Sequence, residues 1–329
     1  MQTSVTSCQR ILEIDAERET RRIGEAIRQL VFHQFRRKGA VLGISGGIDS
    51  SVVAALCARA LGPDHVLGLL MPEGESSPDS VVLGRRLTES LGIPSELVDI
   101  TPVLESSGCY RRRDDAIRLV VPEYGSGYKC KITLPDLLAT DQFAVFSVVV
   151  QAPSGETRKV RLTLDAYLGI IAASNIKQRT RKMTEYYHAD RLNFAVAGTP
   201  NRLEYELGFF VKGGDGSADF KPIAHLYKTQ VYQLAEYLNV PREIRERPPT
   251  TDTYPLEQSQ EEFYFSMPLA KMDLCLYGRD HTMAPAELAP MVDLSIEQVN
   301  RAYSMIDRKR ANARYLHMAP VTFTEDLCK

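Results

Sequence analysis

The 329-residue sequence lacks an excess of charge of either sign: 40 Lys and Arg stand against 42 Asp and Glu, a net charge of −2. Without a surplus of cations there is no global field to grip nucleic acid or an anionic membrane, so neither partner is expected. Cysteine is sparse and scattered. Cys8, Cys57, Cys109, Cys130, Cys275 and Cys328 include no pair at C-x-x-C or zinc-ligand spacing, which points to free thiols in a reducing cytoplasm. No apolar run approaches bilayer-spanning length and no basic-then-apolar leader opens the chain, so a soluble, cytoplasmic protein is expected. Internal repeats, low-complexity segments and any Ser-His-Asp or Cys-His set for nucleophilic catalysis are missing too. What remains is an ordinary globular composition, 44% hydrophobic and 25% charged, enough for one large domain or two small ones.

Within that composition the apolar residues keep a βα rhythm. Residues 19–36 place Ile23, Ala26, Ile27, Leu30, Val31 and Phe35 on one helical face. "AVLGI" (40–44), "HVLGLLMP" (65–72) and "SELVDI" (95–100) read as strands, and "DSSVVAALCARAL" (49–61) and "PDSVVLGRRLTESLG" (78–92) as the helices between them. This alternation predicts an α/β fold with a parallel, doubly wound sheet, whose ligands bind beyond the carboxyl ends of the strands. From Ser106 to Leu164 the pattern changes to short strands, "AIRLVVPEY", "YKCKITLP", "FAVFSVVVQAP" and "TRKVRLTL", with "APSGET" as a turn. The charges of "RRRDD" (111–115) neutralise one another, so that run reads as a solvated loop. A long helix over 165–188, the strand "NFAVAG", helices near 201–210 and 226–239 and a patchily helical tail follow.

Two glycine-rich stretches interrupt this regular pattern. "SGGIDSS" (45–51) stands between the first strand and its helix. Backbone N–H groups left unpaired there, beside a helix N-terminus, make an anion site; the alternative is a tight turn capped by Ser45. The stretch lacks the Lys of a G-x-x-x-x-G-K-[ST] loop and the third glycine of a dinucleotide fingerprint. "KGGDGSAD" (212–219) gathers three glycines and two carboxylates after an apolar helix, a composition suited to a ligand loop. "NIKQRTRK" (175–182) sets Lys177 and Arg181 on adjacent helical turns, either as a solvated face or as a receiver of phosphates.

"SGGIDSS" resembles the pyrophosphate loop of the ATP pyrophosphatases, which use ATP to adenylate an oxygen and release pyrophosphate. "SNIKQRTRKM" (174–183), "AGTPNRLEYELGFFVKGGDGSADFKPIAHLYKTQV" (197–231) and "RPPTTDTYPLEQSQEEF" (247–263) are similar in order and spacing to NAD synthetases. The resemblance implies a single adenine nucleotide alpha hydrolase-like domain over 1–329, with a β-rich insertion at 106–164 and a helical C-terminal part. It implies a ligase that makes NAD from deamido-NAD, ATP and ammonia through an acyl adenylate, releasing AMP and pyrophosphate. By the same likeness Gly43, Ile44, Ser45, Gly46, Gly47, Ile48, Asp49, Ser50 and Ser51 cradle the ATP phosphates, and Thr199, Lys228 and Thr250 add ATP contacts. Asp49 and Glu204 hold Mg²⁺, Asp49 and Lys228 act in catalysis, and Arg179, Lys212 and Asp219 contact deamido-NAD. Read one at a time, Glu204 is an exposed helix residue and Lys228 a snorkelling surface lysine.

Three stretches depart from the family pattern. Where a His-Lys pair is common, this chain has "RANARYLHMAP" (310–320), leaving Arg314 and His317 as candidates; the insertion is long; and "TTDTYPLEQSQEEF" replaces the usual lid-like sequence. The resemblance also implies a homodimer whose interface contributes to the deamido-NAD site. No segment outside the synthetase motifs is long enough for a glutaminase domain, so free ammonia is expected as the nitrogen source, with glutamine use requiring a separate glutaminase partner. The rivals are an ATP-dependent enzyme amidating another acid, a tRNA-modifying enzyme and a silent nucleotide binder. "KGGDGSAD", the missing C-x-x-C pair and the retained Asp49 and Glu204 speak against them in turn.

Overall fold

A computed structural model of the chain describes residues 10–134, 146–250 and 253–323. Its main sheet has four parallel strands, β1 (Ala40–Gly43), β2 (Val66–Leu70), β3 (Ser95–Leu97) and β7 (Ala195–Val196), in the order β3-β2-β1-β7. Period-two alternation sends β1 into two cores: Leu42 and Ile44 join Val52, Leu56 and Val231 on one face, and Val41 joins Leu69, Leu104 and Val196 on the other. Helices α1 (Ala16–Arg28), α2 (Ile48–Leu61) and α8 (Lys228–Tyr237), with the short α9 (Arg242–Arg245) behind it, cover the first face, and α4 (Thr101–Ser106) and α6 (Leu164–Leu192) the second. The doubly wound expectation is met. The chain steps outward from β1 to β3 and returns beside β1 as β7, so a crevice opens where the order reverses, past the carboxyl ends of β1 and β7.

Other expectations shift at the boundaries. The first helix starts earlier than expected, where the Asp15 side chain accepts from Arg18 N at 2.9 Å, and it widens into a π-turn over Gln29–Gln34. In the insertion, the expected strand "AIRLVVPEY" (116–124) does not form: its first three residues end helix α5 (Cys109–Arg118), which follows Gly108 at φ 73°, and residues 119–124 form turns. Helix is favoured because Arg113, Ala116 and Ile117 share one buried face, with an Arg118–Asp115 ion pair at i,i+3 on the other side. "RRRDD" is therefore helical and only partly solvated: Arg113 is buried, bonded to Glu75 at 2.6 and 2.7 Å and to Asp114 at 2.8 Å. True strands are β4 (Lys129–Thr133), β5 (Ser147–Gln151) and β6 (Thr157–Arg161), an antiparallel sheet whose β5–β6 hairpin closes through the expected "APSGET" turn. The expected strand residues 135 and 143–145 lie outside the described residues. Four of the cysteines are buried free thiols; Cys8 and Cys328 lie outside the described residues.

Helix α6 is the spine that joins these parts. Thr163 caps it by accepting from Ala166 N, and Asn193 ends it in the left-handed conformation at φ 56°. Its first half packs on the insertion sheet through Ala166 and Ile170, and its second half on the main sheet through Ala189. Beyond them α10 (Leu269–Asp280), α11 (Pro285–Val292) and α12 (Ile296–His317) form a helical cluster with Leu203 and Leu207 of α7 (Arg202–Leu207). Among the described residues no helix is long and apolar enough to cross a membrane.

Candidate active site

The crevice begins with the loop between β1 and α2. Gly46 has φ 74°, and a Cβ there would meet Ser80 O at 2.8 Å, so only glycine fits both the turn and the approach of α3 (Pro78–Leu91). Helix α2 then opens at Gly47 with no side-chain cap, leaving first-turn N–H groups to a ligand. The three serines instead tighten the loop internally. Ser50 and Ser51 hydroxyls donate to Gly47 O at 3.0 and 2.8 Å, and Ser45 Oγ accepts from Gly47 N at 3.2 Å.

Asp49, in that first turn, is the hub of the site. Lys228 Nζ donates to Asp49 Oδ2, and Asn201 Nδ2 donates to Asp49 Oδ1 at 3.0 Å. Asn201 and Glu204 form a capping box at the start of α7: Asn201 Oδ1 accepts from Glu204 N at 3.2 Å, and Glu204 Oε2 accepts from Asn201 N at 3.1 Å. Asn201 of this cap thus bonds to both carboxylates of the site, Asp49 on α2 and Glu204 on α7. Lys228 is held from the far side by Asp273 on α10, whose fully buried carboxylate accepts from the N–H groups of Lys228 at 3.1 Å and Thr229 at 2.8 Å.

Charge is unevenly matched here. Burial, reinforced by the nearby Asp49 carboxylate, pushes Glu204 up to about 8. Burial works to lower Lys228, but Asp49 and Glu204 outweigh it and hold the ammonium above its ordinary value. Two close carboxylates therefore share one lysine, and a further cation would be favoured. Gln260 Nε2 donates to Glu204 Oε1 at 3.1 Å, while its buried Oε1 has no partner among the described residues. The two carboxylates are hard oxygen donors of the kind Mg²⁺ takes, and Gln260 holds one of them in place. No cluster of three or more His, Cys, Asp or Glu fit to hold a metal is found among the described residues, so other oxygens must complete any metal shell here.

Two connected hollows meet at this hub. The larger, about 540 Å³, is lined by Asp49, Glu204, Lys228 and Thr250 together with Phe146, Tyr167 and Phe263. The smaller, about 150 Å³, lies at the ends of β1 and β2 against Gly43, Leu70, Met71 and Arg181. Ser45, Ser50, Thr199 and Asp215 line both. Of the loop residues, Gly43 and Ile44 face the smaller hollow, and Gly47, Ile48 and Asp49 the larger. Gly46 and Ser51 serve the turn behind them.

The remaining candidates stand apart from the hub. Arg179 donates to Lys212 O at 3.3 Å, and Lys212 Nζ donates to Tyr315 O and Met318 O at 2.9 and 3.1 Å, tying the end of α12 to the glycine-rich loop. Asp219 Oδ2 accepts from Val196 N at 2.7 Å. None of the three lines the hollows. His317 packs against Tyr205 and Phe210, and Arg314 lines a separate surface hollow beside it. Lys177 is neither a solvated residue nor a phosphate receiver: it is buried, with Nζ on Glu73 Oε1 at 2.9 Å, Glu75 Oε2 at 2.7 Å and Thr253 O at 2.9 Å. The exposed-helix reading of Glu204 and the surface reading of Lys228 fail as well, since both turn inward to Asp49.

Sequence reasoning overlooked Asn201, Asp215, Gln260 and Asp273. Asn201 had a signal, the N-x-x-E capping box of "NRLE". Asp215 sits in the middle of "KGGDGSAD", and burial raises its carboxyl. Gln260 and Asp273 reach the site only through tertiary folding, so nothing local marks them.

Comparison with known proteins shows the family of the chain. A family model described as NAD synthase matches residues 19–119 and 155–314. The chain is 57% identical over 315 residues to an NH(3)-dependent NAD(+) synthetase of Mesorhizobium japonicum, covering 96% of this chain and 99% of that one. It is 54% identical to the protein of that name from Rhizobium meliloti, covering 94% and 92%. Among solved structures, an NMN synthetase from Francisella tularensis aligns with TM-score 0.66 at 20% identity, covering 94% of this chain and 99% of that one. An NH3-dependent NAD synthetase from Campylobacter jejuni aligns with TM-score 0.62 at 22% identity, covering 95% and 100%. At these identities the structures speak for the fold.

Proposed function

The chain belongs to the NAD synthase family and catalyses the ATP- and ammonia-dependent amidation of deamido-NAD; we propose that Asp49, Glu204 and Lys228, at the crevice between β1 and β7, are the groups that make this possible. The observation that carries the assignment is their convergence: a buried lysine and two carboxylates, drawn from α2, α7 and α8, meet beside a glycine loop with unpaired N–H groups.

A nicotinate carboxylate is a poor acyl donor because oxide would have to leave. In the proposed reaction a carboxylate oxygen attacks the α-phosphorus of ATP, the bond to the β-phosphate oxygen breaks and pyrophosphate departs. Ammonia then attacks the acyl carbon, loses a proton, and AMP leaves with the former carboxylate oxygen. Negative charge grows on the α-phosphate and on pyrophosphate, and Lys228 with the first-turn N–H groups of α2 stands where it can offset that charge. Asp49 and Glu204 would hold Mg²⁺, which when bound to the phosphates neutralises their charge. The smaller hollow suits the adenine, the loop Gly43 to Ser51 the phosphates, and the larger hollow the nicotinate end of deamido-NAD. Thr199 and Thr250 are assigned to ATP.

Arg179, Lys212 and Asp219 are assigned to the outer part of deamido-NAD. Their place outside the hollows fits a substrate completed by a second protomer. Along α6, Leu164 (70% exposed), Leu168 (52%), Met183 (58%) and Tyr187 (64%) form an apolar stripe on the same face as Arg179, as a homodimer interface requires. The described cysteines offer no thiolate for glutamine hydrolysis: burial pushes Cys57 and Cys275 up to about 12 and Cys130 to about 11, and also raises Cys109. Free ammonia in the cytoplasm is the proposed nitrogen source, with any glutaminase a separate partner.

The test is pyrophosphate release from ATP with deamido-NAD against a panel of other carboxylic acids. Release with deamido-NAD alone, dependent on ammonium for NAD formation, is expected. Equal release with an unrelated acid would contradict the substrate assignment.

A further inference from the structure

The family model matches the chain up to residue 119 and again from 155, so β4 and β5 of the insertion lie outside the common pattern while β6 lies within it. The insertion sheet runs β4-β5-β6, which leaves one edge of β4 without a strand partner among the described residues. An open edge of this kind must be covered. Here residues 256–262, which lead into the active site, cover it. Leu256 N donates to Cys130 O at 3.3 Å, Gln258 Nε2 donates to Ile132 O, and Leu134 N donates to Glu262 O at 3.3 Å. Cys130, Ile132 and Leu134 alternate along the edge, so the segment follows β4 as a rough extra strand. Lys131 fastens the same stretch from one side, with Nζ on Glu257 O at 3.2 Å and on the Glu262 carboxylate at 2.8 Å.

Beneath these bonds, Tyr254 is buried with Ile132, Val148 and Val150, and Phe263 packs against the same cluster. Midway along the covered stretch stands Gln260, whose side chain reaches Glu204 and whose N–H donates to Pro249 O at 3.1 Å. One short segment therefore touches the insertion with 256, 258 and 262 and the catalytic carboxylate with 260. A hydrogen bond to a carboxylate fixes its orientation, and loss of such outer partners weakens metal sites about ten- to hundredfold.

We propose that the insertion sheet is a positioning element for amide formation: by pairing the free edge of β4 with residues 256–262, it holds Gln260 against Glu204. Gln260 is a positioning residue, acting through Glu204, and the clamp rests on the assignment of Glu204 to the Mg²⁺ site.

Three variants test it: the edge variant Lys131→Ala with Gln258→Leu, the contact variant Gln260→Ala, and their combination. Hydrogen–deuterium exchange on the ligand-free proteins is expected to quicken at residues 256–263 in the edge variant and to stay at the wild-type rate in the main sheet. In steady-state assays the edge and contact variants should each raise the Mg²⁺ concentration for half-maximal rate by about tenfold, with the KM for deamido-NAD changed less than about twofold. The combined variant should show no further rise, because both act through one contact. Additive rises would overturn the proposal, as would unchanged exchange at 256–263 or an edge variant with normal Mg²⁺ demand despite fast exchange. Lys131→Ala alone, which removes a half-exposed ion pair, replaces the edge variant if that one fails to fold, and Lys131→Arg should restore both readouts. A wild-type protein that makes no NAD would contradict the catalytic reading, while the exchange data would still decide whether β4 holds the segment.

Discussion

Lys228 shows how much a single residue decides. Its side chain is 3% exposed and bonded to Asp49, so removing that carboxylate leaves a buried ammonium with only the nearby Glu204 to offset it, at a cost of up to about 3–5 kcal/mol. Asp49→Ala should therefore lower the melting temperature as well as abolish turnover. Asp49→Asn keeps a polar partner and should lower kcat by at least about a hundredfold with a smaller thermal shift; wild-type turnover in Asp49→Asn would remove Asp49 from the chemistry. Asp273 offers a pH-dependent counterpart. Burial raises its carboxyl from 3.8 to about 6, so the folded state binds a proton that the unfolded state has already released. Stability from this group is therefore fully present below about pH 4 and is lost as pH rises through 6. The stability gap between wild type and Asp273→Asn should narrow from pH 4 to pH 7, measured by denaturant unfolding at each pH. A gap that widens would refute the assignment. At this scale the sequence was legible where function and local pattern coincide, as in the loop from Ser45 to Ser51. Gln260 and Asp273 were not legible, because a glutamine in a polar stretch and an aspartate in a helix carry no local sign of what they meet.

Elements were readable to the extent that one period dominated. The main-sheet strands and their helices follow clean alternation, and all appear near their expected positions. Helix α5 was misread because "AIRLVV" is rich in β-formers when taken alone, whereas its pairing with the arginines before it makes a helical face of Arg113, Ala116 and Ile117. Helix α6 serves two surfaces along its 29 residues, the molecule's own core and an exposed apolar stripe. If that stripe joins two copies, Leu168→Glu with Tyr187→Glu should convert a dimer to a monomer in sedimentation velocity. It should also raise the KM for deamido-NAD more than the KM for ATP, since Arg179 shares the face. A wild-type monomer with full activity, or a double variant that remains dimeric, would show that the stripe serves something else.

Across the whole molecule, the sheet order sets the site before any side chain is considered: the reversal beside β1 opens a crevice where the glycine loop must lie. The sequence made that plain, and it left the insertion without a role because its contacts with 256–262 join residues more than a hundred positions apart. Burial raises the thiols of all four described cysteines, so NAD formation at low total ammonium should rise with pH in proportion to neutral NH₃, and glutamine should not replace ammonium. Equal rates with glutamine for the purified chain would contradict this. The central claim, that the nicotinate carboxylate is activated on the α-phosphate of ATP, is tested most directly by isotope transfer. Deamido-NAD carrying ¹⁸O in that carboxylate is turned over with ATP and ammonium, and the products are examined by mass spectrometry. One ¹⁸O is expected in AMP and none in pyrophosphate; label in pyrophosphate or in inorganic phosphate would rule out activation on the α-phosphate.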